Sequence, residues 1–232
     1  MSIIKLDRSI IPACDVSSLE KLEEIVNETS HVKGVGGYKI GFSLVVPFGM
    51  RKVIETIRKH TEKPIIYDHQ KAGTDIPALG VEFMRACKGA DAVIIFPQAG
   101  PVTEKKWIEA AKRIKMNIIV GGEMTNPGYM EREGGFIKEG SPERMYETAA
   151  CMGVRDFVVP GNKPENIKKY RELLESKGIS PVFYSPGLLT QGGDLTESGK
   201  AAGKRWHAIV GRTIYRSENP GKTTEKLVRN IV

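Results

Sequence analysis

The chain has 232 residues, 35 Lys and Arg against 28 Asp and Glu, a net charge of +7 and 40% hydrophobic residues. That composition excludes disordered and fibrous proteins, and the length allows one large domain or two small ones. No apolar run reaches the roughly 18 residues of a membrane span. The N-terminal stretch MSIIKLDRSIIPACD also lacks the order of a secretory signal, so a cytoplasmic location is expected.

Short apolar, β-branched runs predict strands at 9–14 (SIIPAC), 36–40 (GGYKI), 64–68 (PIIYD), 91–96 (DAVIIF), 117–122 (NIIVGG), 156–160 (DFVVP), 181–185 (PVFYS) and 207–211 (HAIVG). Amphipathic stretches predict helices at 17–29, 48–60, 77–88, 103–115, 142–152, 164–177, 195–204 and 220–231. Near-continuous apolar strands separated by helices imply parallel strands covered on both faces. Eight such units fit a closed α/β architecture, a single (β/α)8 TIM barrel over residues 1–232. An open doubly wound sheet is the competitor, disfavoured because no GxGxxG turn follows the first strand. The longest irregular stretch, 122–140, follows a strand and is expected on the functional face.

The charge is spread as mixed signs over helices, as in KKWIEAAKRIK and PENIKKYRELLESK. It reads as solvated helix faces, with mild attraction for a small anion, and not as a nucleic-acid surface. Cys14, Cys87 and Cys151 are too scattered for disulfides or a metal knuckle and are expected as small buried hydrophobes. His31, His60 and His207 have no ligand-spaced partners and are expected at the surface or at helix ends. His69 stands alone beside Asp68, which is thin support for a metal. Trp107 and Trp206 are assigned to helical stretches as packing residues.

In a barrel of this kind chemistry sits at the C-terminal ends of the strands. Asp15, Lys39 and Asp68 fall at the ends of the first three strands, and Lys71 and Asp75 follow at once. Lys39 lies inside an apolar run, where an unpaired ammonium is costly, so it needs an anionic partner. Asp68 on the neighbouring strand is the obvious one. The set reads either as a structural ion-pair network or as a catalytic Lys–Asp–Lys–Asp array. Thr125 follows the fifth strand. The glycine-rich SPGLLTQGGD (185–194), with Gln191 and Gly192, follows the seventh, and Gly211 and Arg212 end the eighth. Loops after the last two strands are the usual phosphate site of this fold, and a guanidinium suits a phosphate bidentately. No HExxH, GxSxG or Walker pattern is present.

Taken in order, Asp15, YKIG (38–41), IIYDHQKAGTDIP (65–77), EMTNPG (123–128), SPGLLTQGGD (185–194) and AIVGRTIYRSENP (208–220) resemble orotidine 5′-phosphate decarboxylases over nearly the whole chain. The resemblance implies conversion of orotidine 5′-monophosphate to UMP and CO2 without metal or organic cofactor. It implies that Lys39 holds Asp68, and that Asp68 lies beside the substrate carboxylate. Lys71 would stabilise and protonate the C6 carbanion, and Asp75 would come from the second subunit of a homodimer. Asp15 would bind ribose and Thr125 the pyrimidine. Pro186 would line the base pocket, while Gln191, Gly192, Gly211 and Arg212 hold the phosphate beneath a closing lid at 187–194.

Two features depart from the family pattern. Asp-x-Lys-x-x-Asp is here Asp68-x-x-Lys71-x-x-x-Asp75, two residues longer, and Leu79 stands where a ribose-contacting Thr is usual, with Thr74 as a substitute. The alternatives are a Mg2+-dependent sugar-phosphate decarboxylase or aldolase of the 3-keto-gulonate-6-phosphate decarboxylase or hexulose-phosphate synthase type, and a non-catalytic nucleotide-binding barrel. Relatives of the first kind generally carry Glu at the Lys39 position.

Overall fold

A computed structural model describes residues 2–69 and 72–231; Lys71 therefore lies outside the described residues. Eight strands, β1 (Arg8–Cys14), β2 (Tyr38–Gly41), β3 (Ile65–Asp68), β4 (Ala92–Ile95), β5 (Asn117–Gly121), β6 (Asp156–Val158), β7 (Val182–Ser185) and β8 (Trp206–Val210), are all parallel and close into a barrel. Closure is direct: β1 pairs with β8 from Arg8↔Trp206 to Pro12↔Val210, so the open-sheet alternative is set aside. Around the barrel run α1 (Leu19–Thr29), α2 (Phe42–Phe48), α3 (Met50–Arg58), α4 (Gly80–Ala86), α5 (Pro101–Arg113), α6 (Ser141–Cys151), α7 (Pro164–Ser176), α8 (Leu195–Ala202), α9 (Arg212–Tyr215) and α10 (Pro220–Arg229). Among the described residues no helix is long and apolar enough to cross a membrane.

Successive strand side chains face opposite sides, which divides the core into two layers. Ile11, Ala13, Ile66, Ile94, Ile119 and Ile209 pack together inside the barrel. Ile10, Cys14, Tyr38, Ile40 and Tyr67 pack outward against the helices. Both faces are dry, so the strands read as unbroken apolar runs. Lys39 falls on an inward position between outward Tyr38 and Ile40, and Asp68 is the inward residue after Tyr67.

Helix starts follow local chemistry. Ser18 accepts from the Lys21 amide at 3.2 Å, Asp194 from Glu197 at 2.9 Å and Asn219 from Lys222 at 2.7 Å, each capping an orphan N–H. Proline occupies the first turn of α5, α6, α7 and α10, where no N–H is missed.

Several expectations are corrected. The helix expected at 48–60 is α3, and a separate α2 precedes it, broken off by Gly49 at φ +77°. Trp206 is on β8, not in a helix, and its Nε1 donates to Ser185 Oγ at 2.9 Å. Cys151 is exposed, whereas Cys14 and Cys87 are buried; Cys151 ends α6 on its outer face. His207 is neither at the surface nor at a helix end. It is completely buried on β8, with Nδ1 2.8 Å from Ser9 Oγ and its ring 4.9 Å from that of Tyr184. It is an interior residue with one satisfied nitrogen.

Two buried groups make stability pH-dependent in opposite directions. His207 Nε2 has no hydrogen-bond partner among the described residues, and burial pushes its pKa down to about 3. The unfolded chain therefore binds the extra proton between roughly pH 6.5 and 3, and stability falls as pH drops through that window. Glu104, in the first turn of α5, is buried with Oε1 unpartnered among the described residues. Burial pushes its pKa up to about 8, so the folded state holds the proton and stability falls as pH rises from roughly 4.5 to 8. Melting temperature measured across pH 4–9 is expected to flatten on the acid side in His207→Gln and on the alkaline side in Glu104→Gln. An unchanged profile in either variant would remove that group from the account.

Candidate active site

A cavity of about 490 Å3 opens at the C-terminal ends of the strands, where the parallel register gathers the residues that follow each strand. Asp15, Lys39, Asp68, Thr125, Pro186, Gln191, Gly211 and Arg212 all line it. Asp75 and Gly192 do not. Asp75 is exposed, and its carboxylate accepts from the Ile76 amide at 2.7 Å. Gly192 is the exposed turn of the loop after β7, at φ +90° with its N–H on the Leu189 carbonyl at 3.0 Å.

Lys39 is the centre of one wall. Its Nζ lies 3.1 Å from Asp68 Oδ2 and 3.2 Å from Asp15 Oδ1. The expected partner is present, and Asp15 is a second one. β1 and β2 pair with Ala13 opposite Lys39, so the residues just beyond that pair converge on the ammonium. Burial acts to lower the Lys39 pKa, but the Asp68 and Asp15 carboxylates outweigh it and hold the ammonium above the ordinary lysine range. Asp15 is about half exposed and Asp68 almost covered, at 46% and 7% of the side chain. One carboxylate is thus open to a polar ligand while the other faces a drier site.

The adjoining wall comes from β7 and β8, with β8 paired directly to β1. The loop after β7 folds on itself, with Leu189 N–H on Gly193 O at 2.7 Å, Gly193 N–H on Gly187 O at 3.2 Å, and Leu189 at φ +61°. Gly187 is the glycine that matters to the cavity. Its φ is +85°, and a Cβ there would sit 2.5 Å from Thr125 Cγ2 and 2.9 Å from Gln191 Oε1. This close approach lets the loop pack over Thr125. Gly211 precedes α9 and its backbone runs beside Ala13. Gln191 and Arg212 follow adjacent strands, so an amide and a guanidinium serve the same side of the cavity.

Residues not singled out in the sequence complete the site. Phe42 and Ser43 of α2 and Tyr215 of α9 line the cavity. So does Glu123, fully buried after β5. It is held by Lys163 at 2.9 Å, by Asn166 at 2.9 and 3.0 Å, and by the Tyr170 hydroxyl. Lys163 also reaches Glu133 at 2.7 Å, and Asn162 Nδ2 donates to the Thr125 carbonyl at 3.1 Å. The long 122–140 segment is thereby tied to α7. The available signal is a carboxylate placed directly after an apolar strand, but apart from Arg132 at 3.5 Å its partners lie about forty residues on. Among the described residues no group of three or more His, Cys, Asp and Glu side chains could hold a metal ion. The cavity can take an anion, since it is lined by both a guanidinium and a Lys–carboxylate array.

Residues 8–227 match the model of the orotidine 5′-phosphate decarboxylase / HUMPS family. The chain is 32% identical over 226 residues to an orotidine 5′-phosphate decarboxylase of Methanosarcina barkeri, covering 96% of this chain and 94% of that one. It is 29% identical over 215 residues to that of Methanocaldococcus jannaschii, covering 92% and 94%. The structure of the M. jannaschii orotidine 5′-monophosphate decarboxylase complexed with the inhibitor BMP superimposes with a TM-score of 0.84 at 27% identity, covering 97% of this chain and 98% of that one. With a closed eight-stranded barrel, a cavity at the strand ends and a family match across nearly its full length, the chain belongs to the orotidine 5′-phosphate decarboxylase / HUMPS family.

Proposed function

We propose that this chain converts orotidine 5′-monophosphate to UMP and CO2 as a cytoplasmic enzyme of pyrimidine biosynthesis, without metal or organic cofactor. The observation that carries the reading is the buried Lys39 ammonium between Asp15 and Asp68, in one cavity with Gln191 and Arg212. Relatives of matching length carry the name of this activity. In this reading Arg212, Gln191 and the Gly211 backbone hold the phosphate, Asp15 the ribose, and Thr125 and Pro186 the base. Asp68, fixed by Lys39, lies beside the substrate carboxylate. Repulsion between the two anions is relieved as CO2 leaves, and Lys71 receives the developing charge at C6 and returns a proton there. Each of these acts by preorganised charge, the largest common source of rate enhancement.

The exposed Asp75 supports a homodimer in which it completes the site of a second copy. Apolar Ile76, Leu79 and Val102 are exposed close to it in the chain or on α5, at 59%, 39% and 64%. The Mg2+-dependent alternative is disfavoured by Lys39, whose ammonium occupies the space between the Asp15 and Asp68 carboxylates where a divalent cation would have to sit.

The test is a spectrophotometric assay with orotidine 5′-monophosphate in EDTA. Rapid loss of orotate absorbance supports the reading. Tight UMP binding without turnover would point to the nucleotide-binding barrel instead. Arg212→Ala is expected to raise KM on the order of 100-fold, the effect of losing about 3 kcal/mol of charge-assisted hydrogen bonding. It should lower kcat far less, because the phosphate grip acts on ground and transition states alike. An unchanged KM would remove Arg212 from the phosphate site.

A further inference from the structure

Asp68 and Asp75 are separated by six residues, two more than in the family pattern, yet both ends of this loop are tied to one cluster of rings outside the barrel. At the near end, Tyr67 and His69 flank Asp68. Tyr67 packs into the outer core, and its hydroxyl is hydrogen-bonded to His69 Nδ1. The His69 ring lies 5.9 Å from Phe83 of α4, and Phe83 stacks on Tyr67 at 6.4 Å and 19°. Phe83 in turn meets Trp107 of α5 at 5.0 Å.

At the far end, Trp107 Nε1 donates to the Ile76 carbonyl at 3.2 Å, and Thr103, one turn earlier on α5, donates to the Asp75 carbonyl at 3.1 Å. A middle contact runs from the Phe96 amide to the Ala72 carbonyl at 2.7 Å. Gly80 leaves room for the indole, since a Cβ there would lie 3.0 Å from Trp107 Cδ1.

We propose that Tyr67, His69, Phe83, Trp107 and Thr103 form a two-ended clamp that sets the placement of Asp75 relative to Asp68. The separation of the two loop ends is then fixed by the ring packing together with the Thr103 and Trp107 hydrogen bonds, not by the number of residues between them. This is how a loop two residues longer can still present its second aspartate at a defined place. These are positioning residues; none of them lines the cavity. The catalytic consequence rests on the proposed decarboxylase reading, whereas the clamp itself is a claim about the loop.

Thr103→Val and Trp107→Phe remove the two donors; valine keeps the volume at 103, and phenylalanine keeps a ring against Phe83. In the double variant kcat is expected to fall on the order of 10- to 100-fold, the effect of a displacement of about 1 Å. KM and UMP affinity should stay within about twofold, because the phosphate and ribose contacts are untouched. Thr103→Ser, which keeps the hydroxyl, should restore kcat. A general loss of structure would instead move KM, UMP affinity and melting temperature together. A double variant with wild-type kcat overturns the proposal. Hydrogen–deuterium exchange over residues 72–79 tests the clamp without reference to turnover. Exchange on the order of tenfold faster in the double variant supports it, and unchanged exchange overturns it. Wild-type protein inactive on orotidine 5′-monophosphate, with the exchange response present, would sink the decarboxylase reading and leave the clamp standing.

Discussion

Lys71→Ala is expected to abolish decarboxylation while UMP still binds. Loss of CO2 leaves an electron pair at C6, and that charge needs a cation beside it and then a proton. In the proposed reading one ammonium supplies both. Removing a preorganised charge costs about 10²–10³-fold, and removing a general acid about 10²–10⁴-fold. Together the loss should exceed roughly 10⁴-fold in kcat, short of full additivity. UMP carries no C6 carboxylate, and in the proposed reading its phosphate and ribose are held elsewhere, by Arg212, Gln191 and Asp15. Its affinity should therefore change by less than about tenfold. The measurements are single-turnover absorbance with excess enzyme and calorimetric titration with UMP. Near-normal turnover in this variant would take Lys71 out of the mechanism.

The second large effect is expected at Lys39. Lys39→Ala leaves Asp68 buried without its ammonium at 3.1 Å and takes from Asp15 a partner at 3.2 Å. Breaking a buried pair on one side costs about 3 kcal/mol or more of stability, so the melting temperature should fall clearly. Turnover should fall on the order of 10³-fold, because Asp68 is no longer held in place. Melting temperature and kcat measured on the same variant separate the two causes. Melting temperature lowered with kcat within tenfold of wild type would make Lys39 a structural staple only.

Lys39 and His207 show how far one local signal reaches. Each is a polar residue inside an apolar strand. For Lys39 the cost of burying an ammonium forced a partner, and the neighbouring strand offered Asp68. For His207 no such cost applied, since imidazole buries neutral, and the residue was read as peripheral. Its actual partner, Ser9, is 198 positions away and meets it only because the barrel closes. Asp15 was placed with the ribose, but its contact with Lys39 depends on the β1–β2 register. Glu123 was passed over because Lys163, Asn166 and Tyr170 reach it from the following β/α unit. The QGGD run points to Gly192, whereas Gly187 makes the close approach to Thr125.

The sequence by itself determined the eight alternating strands and helices, because apolar period and helix-starting residues are local properties. It also placed Asp15, Lys39, Asp68, Thr125, Gln191 and Arg212 at strand ends, which a parallel barrel must gather at one face. Only the tertiary structure decided that Lys39 has two carboxylates, that Asp75 points away from its own cavity, and that rings on β3, α4 and α5 hold both ends of the lengthened loop. Those outcomes depend on strand register and helix packing across the whole chain, and no window of neighbouring residues carries that information.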